Sequence, residues 1–292
     1  MNGESYLPNT KLKTIADIIR IRQWYKNILI FAPLIFANLL FVPEQIQRAG
    51  AAFIVFCLLS SMLYIINDIR DSELDQYHPI KKNRPIPSGR ITKKSAIFLL
   101  FILAVPVVIL CSILPRDFSI CAAIYAILII SYTFCLKEIF IVDIFAIGFG
   151  FILRVLAGSL VLGVILSPWL FTATFLIAIL LGFSKRAKEL ITIENSSLHR
   201  KVLLKYNPTM LRGYTIITAA MVVLVYLIYT IMVVKDPYFI ITTPFVLYGT
   251  FKFLAMTVDV GYDPDDMLKD WGFLLNLIIW VIIVVITLYV IR

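Results

Sequence analysis

Apolar runs long enough to cross a bilayer recur along this chain, and they constrain its fold more than any other feature. A spanning helix needs about 20 mostly apolar residues. By that measure nine candidates stand at roughly 27–42, 50–67, 95–113, 118–135, 139–164, 168–184, 213–234, 238–256 and 272–291. With 61% hydrophobic and only 15% charged residues among 292, the chain has more apolar surface than a water-soluble domain of its size can hide. The expectation is an all-α, polytopic membrane protein of about nine transmembrane helices. No Gly/Ser linker divides it, so 1–292 reads as one integral-membrane domain, with 1–26 as a cytoplasmic or interfacial segment. No cleavable signal peptide is expected, because 1–26 is polar and basic. The run 27–42 is short and carries Pro33. The run 139–164 carries Arg154 and several glycines, which marks a helix packed inside the bundle and not against lipid.

The formal net charge is +9, and where the charges fall decides what they mean. With nine spans, the even-numbered joins lie on the side of the N-terminus. Of the 27 lysines and arginines, all fall on that side except Arg48, Arg116, Lys235, Arg292 and the intramembrane Arg154. By the positive-inside rule the rich side is cytoplasmic. Most acidic groups share it, including the stretch 259–270, DVGYDPDDMLKD, where Asp259, Asp263, Asp265 and Asp266 could bind metal, cap a pocket or solvate a loop. The four cysteines, Cys57, Cys111, Cys121 and Cys135, all lie in apolar runs and read as small buried hydrophobes, not as a disulfide or zinc set.

Residues 67–89, NDIRDSELDQYHPIKKNRPIPSG, follow directly on the second apolar run. If the helix continues to Asp75, then Asn67, Asp71 and Asp75 recur at i, i+4 and i+8 and line one stripe, with Asp68 beside it. Mg²⁺ takes oxygen ligands and binds through one or two carboxylates plus substrate phosphates. The bland alternative is a solvated helix end, but cations alone would stop a span on a cytoplasmic face. Lys81, Lys82, Arg84 and Arg90 follow in a loop shaped by Pro79, Pro85, Pro87 and Gly89. Arg84 suits phosphate best, because its guanidinium fork matches two oxygens at once.

Other groups carry two readings each. Lys26, in RQWYKN at 22–27, serves either as a snorkelling anchor beside Trp24 and Tyr25 or as a substrate contact, and Lys137 in a short join is similar. Arg154 costs at least ~2.5 kcal/mol at mid-bilayer unless it faces a partner or a wet cavity, so it is a structural ion pair or the floor of a site. Lys185 and Arg186, in SKRAKEL at 184–190, are a positive flank or a second wall of the pocket. His78 and His199 are isolated and take no role.

NDxxDxxxD after a second span, then RPxxxG, resembles the UbiA superfamily of intramembrane prenyltransferases. Typical members carry a second aspartate-rich motif after the sixth span, where this chain has SKRAKEL. The segments RQWYKN, NDIRDSELD, HPIKKNRPI, LRVLAG (153–158) and SKRAKEL are together more similar to one branch, the decaprenyl-phosphate phosphoribosyltransferases. The resemblance implies helices around a central cavity open to lipid. It implies an Mg²⁺-dependent transfer of 5-phosphoribosyl from phosphoribosyl diphosphate to a polyprenyl phosphate, releasing diphosphate at the cytoplasmic face. Asn67, Asp68, Asp71 and Asp75 would hold Mg²⁺. Asp71, Asp75, Arg84 and Lys185 would act in catalysis, and Lys26, Lys81, Lys82, Arg84, Lys137, Arg154, Lys185 and Arg186 would contact substrate. The partners are then a sugar diphosphate, a lipid phosphate and the membrane, with no nucleic acid and with homo-oligomerisation open. Two other functions fit the residues: prenyl transfer from a prenyl diphosphate to an aromatic or other small acceptor, and ion transport through the acidic stripe and Arg154.

Overall fold

The computed structural model describes residues 10–77, 80–192, 201–234, 236–259 and 264–291. Among these the regular structure is helical, without a strand. In chain order the helices are α1 (Thr10–Ile18), a 3-10 segment (Ile21–Phe31), α2 (Ala32–Phe36), α3 (Pro43–Asp75), α4 (Lys93–Ile113), α5 (Arg116–Phe134) and α6 (Val142–Leu162). There follow α7 (Pro168–Thr192), α8 (Pro208–Ile228), α9 (Thr243–Leu254) and α10 (Trp271–Ile286). The last three run on into wider π turns, Tyr229–Val234, Ala255–Asp259 and Thr287–Ile291.

Eight of the described helices are long and apolar enough to cross a membrane. The first expected span, 27–42, is not among them. It is a 3-10 segment that passes into the short α2, with Pro33 in the first α2 positions and Asn38 at φ 58° turning the chain toward α3. This broken segment still lies along α3. Trp24 donates to Ser61 and Asn27 donates to Cys57, while Phe31 meets Phe53 further down the helix. At its far end Leu40 and the Leu34 and Ile35 carbonyls bond the Tyr289 hydroxyl, which ties the first segment to the last.

Two helices set the geometry. α3 has 33 residues, about 50 Å at 1.5 Å per residue, well beyond the roughly 30 Å of hydrocarbon. Its NDIRDSELD end therefore projects past the apolar layer. α6 is the central column: 61% of its apolar window is buried within the protein, against 11% for the lipid-facing α4. It packs on α3, α5, α7, α2 and the 3-10 segment. Phe56, Phe118, Tyr125 and Val161 form the core between α3, α5 and α6. Cys57 and Cys121 are buried, Cys111 is partly so, and Cys135, expected to be buried, is exposed at the end of α5 where the chain leaves the bundle; all four are free.

Close approach, and not backbone freedom, explains Gly158 in LRVLAG. A Cβ there would stand 2.1 Å from the carbonyl oxygen of Ile30, a backbone atom that cannot swing aside. Gly158→Ala is expected to separate α6 from the 3-10 segment and to cost about 1–3 kcal/mol or more, the range for overpacking. Thermal unfolding in detergent measures it; an unchanged midpoint would show that the contact yields freely.

Candidate functional site

Of the charged residues expected from the sequence, the end of α3 and the joins packed around it bring together Asp68, Asp71, Asp75, Arg84 and Lys137. Asp68 is 1% exposed and receives Arg20, with Arg84 Nη1 3.1 Å from the same oxygen. The same Arg84 nitrogen lies 2.6 Å from Asp75 Oδ2. One turn round the helix, Lys137 Nζ sits 2.9 and 2.8 Å from the two Asp71 oxygens. Helical spacing explains the sharing. Asp68 and Asp75 are seven residues apart, two turns on one face, so one guanidinium from the join 80–92 reaches both. Asp71 faces the join between α5 and α6. Arg90 pairs instead with Asp17 of α1 at 2.9 Å and holds that helix over the join.

The acids thus meet cations from three elements, and the described residues contain no group of three or more His, Cys, Asp or Glu side chains placed to hold a metal. Mg²⁺ does not require such a cage, because it keeps waters and leans on one or two carboxylates plus substrate phosphate. Asp68, Asp71 and Asp75 offer hard oxygen donors along one stretch of α3, and Asn67 lies half-buried beside them. The donor set fits the ion in chemistry. Their cation partners are groups that phosphate oxygens could take over.

Below this cluster the polar stripe of α3 continues inward through Tyr64, Ser61, Ser60 and Cys57. Arg20 stacks over the Tyr64 ring, 4.6 Å from its centroid. Arg154 lies at the inner end, 6% exposed. Its Nε donates to Asn27 Oδ1, Nη1 to the Gly150 carbonyl and Nη2 to the Tyr125 hydroxyl, each at 2.7 Å. Of the two expected readings for Arg154, these contacts are not an ion pair, since every partner is neutral. Hydrogen bonds from a charged group contribute about 1.5–3 kcal/mol each, enough to offset the burial of one guanidinium.

Arg186, expected as a phosphate contact, is 1% exposed. Its Nε lies 2.7 Å from Asp143 Oδ2, Nη1 meets Glu189, and Nη2 lies 3.4 Å from the Tyr132 hydroxyl. Asp143 is fully buried, and its second oxygen accepts from Tyr206 at 2.8 Å. Burial, then the bond to Asp143, pushes the Tyr206 phenol well above its ordinary pKa, which keeps it protonated and donating. Lys185, Lys26 and Lys81 are partly buried, Lys82 is exposed, and Lys26 lies 5.5 Å over the Tyr25 ring.

In the acidic stretch near the C-terminus, Asp270 caps α10 through Phe273 N and pairs with Lys252 at 3.3 Å. The Phe273 N–H first, with Lys252, holds its carboxyl below the usual range. Asp266 pairs with Lys269, and Met267 packs on Leu180 and Phe253, so this part of the stretch closes the helix ends. Asp263, His78 and His199 lie outside the described residues, as do the side chains of Asp259 and Asp265. Sequence reasoning passed over Arg20, Asn27, Tyr125, Asp143 and Tyr206 as site residues. Two of these had a signal: Asn27 closes the RQWYKN segment, and Asp143 is a carboxylate at the start of an apolar run, which has to find a partner.

Comparison with known proteins agrees with this architecture. The profile of the UbiA prenyltransferase family matches residues 30–278. Over 226 residues the chain is 33% identical to decaprenyl-phosphate phosphoribosyltransferase of Mycolicibacterium smegmatis, covering 74% of this chain and 70% of that one. It is also 33% identical over 171 residues, 59% of its own length, to the uncharacterized protein y4nM of Sinorhizobium fredii, of which it spans only 33%. A solved UbiA homolog from Archaeoglobus fulgidus bound to DMAPP and Mg²⁺ superposes with a TM-score of 0.74 at 14% identity, covering 94% of this chain and 99% of that one.

Proposed function

Because the chain belongs to the UbiA prenyltransferase family, we propose that it transfers 5-phosphoribosyl from phosphoribosyl diphosphate to a polyprenyl phosphate, releasing diphosphate at the cytoplasmic membrane face. The observation that carries this reading is the matched set of charges at the end of α3. Three carboxylates of one helix are each met by a guanidinium or ammonium from another element. A donor with a diphosphate and a 5-phosphate, and an acceptor with a third phosphate, need many cations and few metal sites. The similarity to a phosphoribosyltransferase over 74% of the chain supports the same donor.

Asp68, Asp71 and Asp75, with Asn67, would hold Mg²⁺. When bound, the ion supplies neutralisation of the charge that grows on the leaving diphosphate. Arg84 and Lys137 would exchange carboxylate partners for phosphate oxygens, and this positions the donor against the acid stripe. Lys26, Lys81, Lys82 and Lys185 surround the remaining phosphates at the membrane surface. Arg154, fixed by Asn27 and Tyr125, forms the polar floor. The acceptor phosphate is ionised at neutral pH, so the nucleophile needs no protein general base.

The test is incubation of purified protein with ribose-labelled phosphoribosyl diphosphate, polyprenyl phosphate and Mg²⁺, followed by lipid extraction. Label is expected in the lipid, with diphosphate released. Transfer of a prenyl group from a prenyl diphosphate to a small acceptor instead, or ion flux through liposomes without product, would overturn the assignment.

A further inference from the structure

The join 135–141 between α5 and α6 is short, carries Lys137, and ends in a strained residue. Ile141 has φ 65° and ψ −41°. Positive φ is an outlier for a β-branched side chain, and these values approach those of a rare, strained γ-turn. Such a conformation persists only where its surroundings over-determine it. Here the Ile141 carbonyl accepts from the Ile144 and Phe145 N–H groups at 3.0 and 3.1 Å, and its own N–H is held by a side-chain hydroxyl. The Ile141 N–H donates to Tyr206 Oη at 2.9 Å, and the same hydroxyl donates on to Asp143 Oδ1 at 2.8 Å. The other Asp143 oxygen accepts Arg186 Nε at 2.7 Å. The Tyr206 ring packs at a tilt against Phe140, 4.7 Å between centroids, and Tyr206 is 5% exposed.

Within the same join, Leu136–Glu138 forms a 3-10 turn, and Lys137 reaches both oxygens of Asp71. Rotation of the backbone at Ile141 would re-aim this turn as a unit, since too few residues separate them to absorb the change. We propose that Tyr206 is a positioning residue: by clamping the strained turn at Ile141 it holds Lys137 on the acid stripe, so that affinity for the diphosphate donor depends on a hydroxyl buried behind the site. This rests on the reading of Lys137 as a donor contact.

The experiment is a double-mutant cycle of Tyr206→Phe and Lys137→Met in the full-length protein. It is read by calorimetric binding of Mg²⁺ with inorganic diphosphate and by KM for donor and acceptor. Tyr206→Phe keeps the ring packing and removes the clamp. It is expected to weaken diphosphate binding and raise donor KM about tenfold, the effect of one lost hydrogen bond, with acceptor KM unchanged. In the Lys137→Met background it is expected to add nothing. Unaltered binding, or the same loss in both backgrounds, would overturn the proposal, because a general structural role acts without Lys137. Should Tyr206→Phe not yield folded protein, the pair Tyr206→Phe with Ile141→Gly is measured instead: glycine holds positive φ without strain and needs no clamp, so diphosphate binding is expected within about twofold of wild type, and a loss of about tenfold would overturn the proposal. A wild-type protein that binds Mg-diphosphate but transfers no phosphoribosyl would defeat the functional assignment and leave the binding cycle readable.

Discussion

Asp71→Ala and Asp75→Ala are each expected to reduce the proposed phosphoribosyl transfer by at least about a hundredfold, the scale of losing one preorganised electrostatic contact at a reacting centre. Both proteins are expected to remain folded in detergent. Each carboxylate sits at the end of α3 with its partner from another element: Asp71 with Lys137, Asp75 with Arg84. Glu73 supplies the control. It lies between them in sequence, but its side chain is 85% exposed and its partner Lys93 is 50% exposed. Exposed pairs of that kind contribute little, so Glu73→Ala should leave turnover within about twofold. The Mg²⁺ dependence separates metal ligation from mere alignment of cations. If Asp71 and Asp75 hold the ion, their conservative Asn variants need more Mg²⁺ for half-maximal rate, whereas Arg84→Met raises donor KM at an unchanged Mg²⁺ requirement. Wild-type turnover in either alanine variant would remove the acid stripe from the mechanism.

The membrane made much of the fold legible. Lipid imposes a minimum apolar length on every crossing, and eight of the expected runs are continuous helical stretches that meet it, one of them, Pro237–Val258, joining a 3-10 segment to α9 and its π turn. The segment at 27–42 departs because Pro33 and a positive-φ Asn38 divide it, and because Asn27, turned inward, serves Arg154 and not the lipid. The acid stripe on α3 was readable from spacing within one helix. Its partners were not, since Arg20 to Asp68, Lys137 to Asp71 and Arg186 to Asp143 join residues 48, 66 and 43 positions apart. No local pattern encodes such pairings. Arg186 shows the cost most clearly: next to Lys185 in a basic run it resembles one more cytoplasmic flank, but its side chain turns into the bundle to meet an aspartate in the first turn of α6.

That burial underlies the other large effect. Arg186→Met is expected to destabilise the protein by about 3–5 kcal/mol, the penalty for removing one partner of a buried ion pair. The Arg186 and Asp143 side chains are 2% and 0% exposed, so water cannot replace the lost guanidinium, and among the described residues the Tyr206 hydroxyl is left to satisfy the carboxylate. Asp143→Asn should cost less, because an amide keeps an acceptor for Tyr206. Replacing both charges, as in Asp143→Leu with Arg186→Met, should recover much of the loss, since no fully buried charge is then left without its partner and Glu189, which also loses Arg186, is partly exposed. Chemical or thermal unfolding of the purified protein orders these three variants. If Arg186 also touched substrate, the repaired double variant would be stable yet lack donor binding. If its work is to lock α6 against α7, the same variant keeps donor affinity to the extent that Lys137 stays in place. An Arg186→Met protein as stable as wild type would mean that the pair is not buried in the membrane-embedded protein.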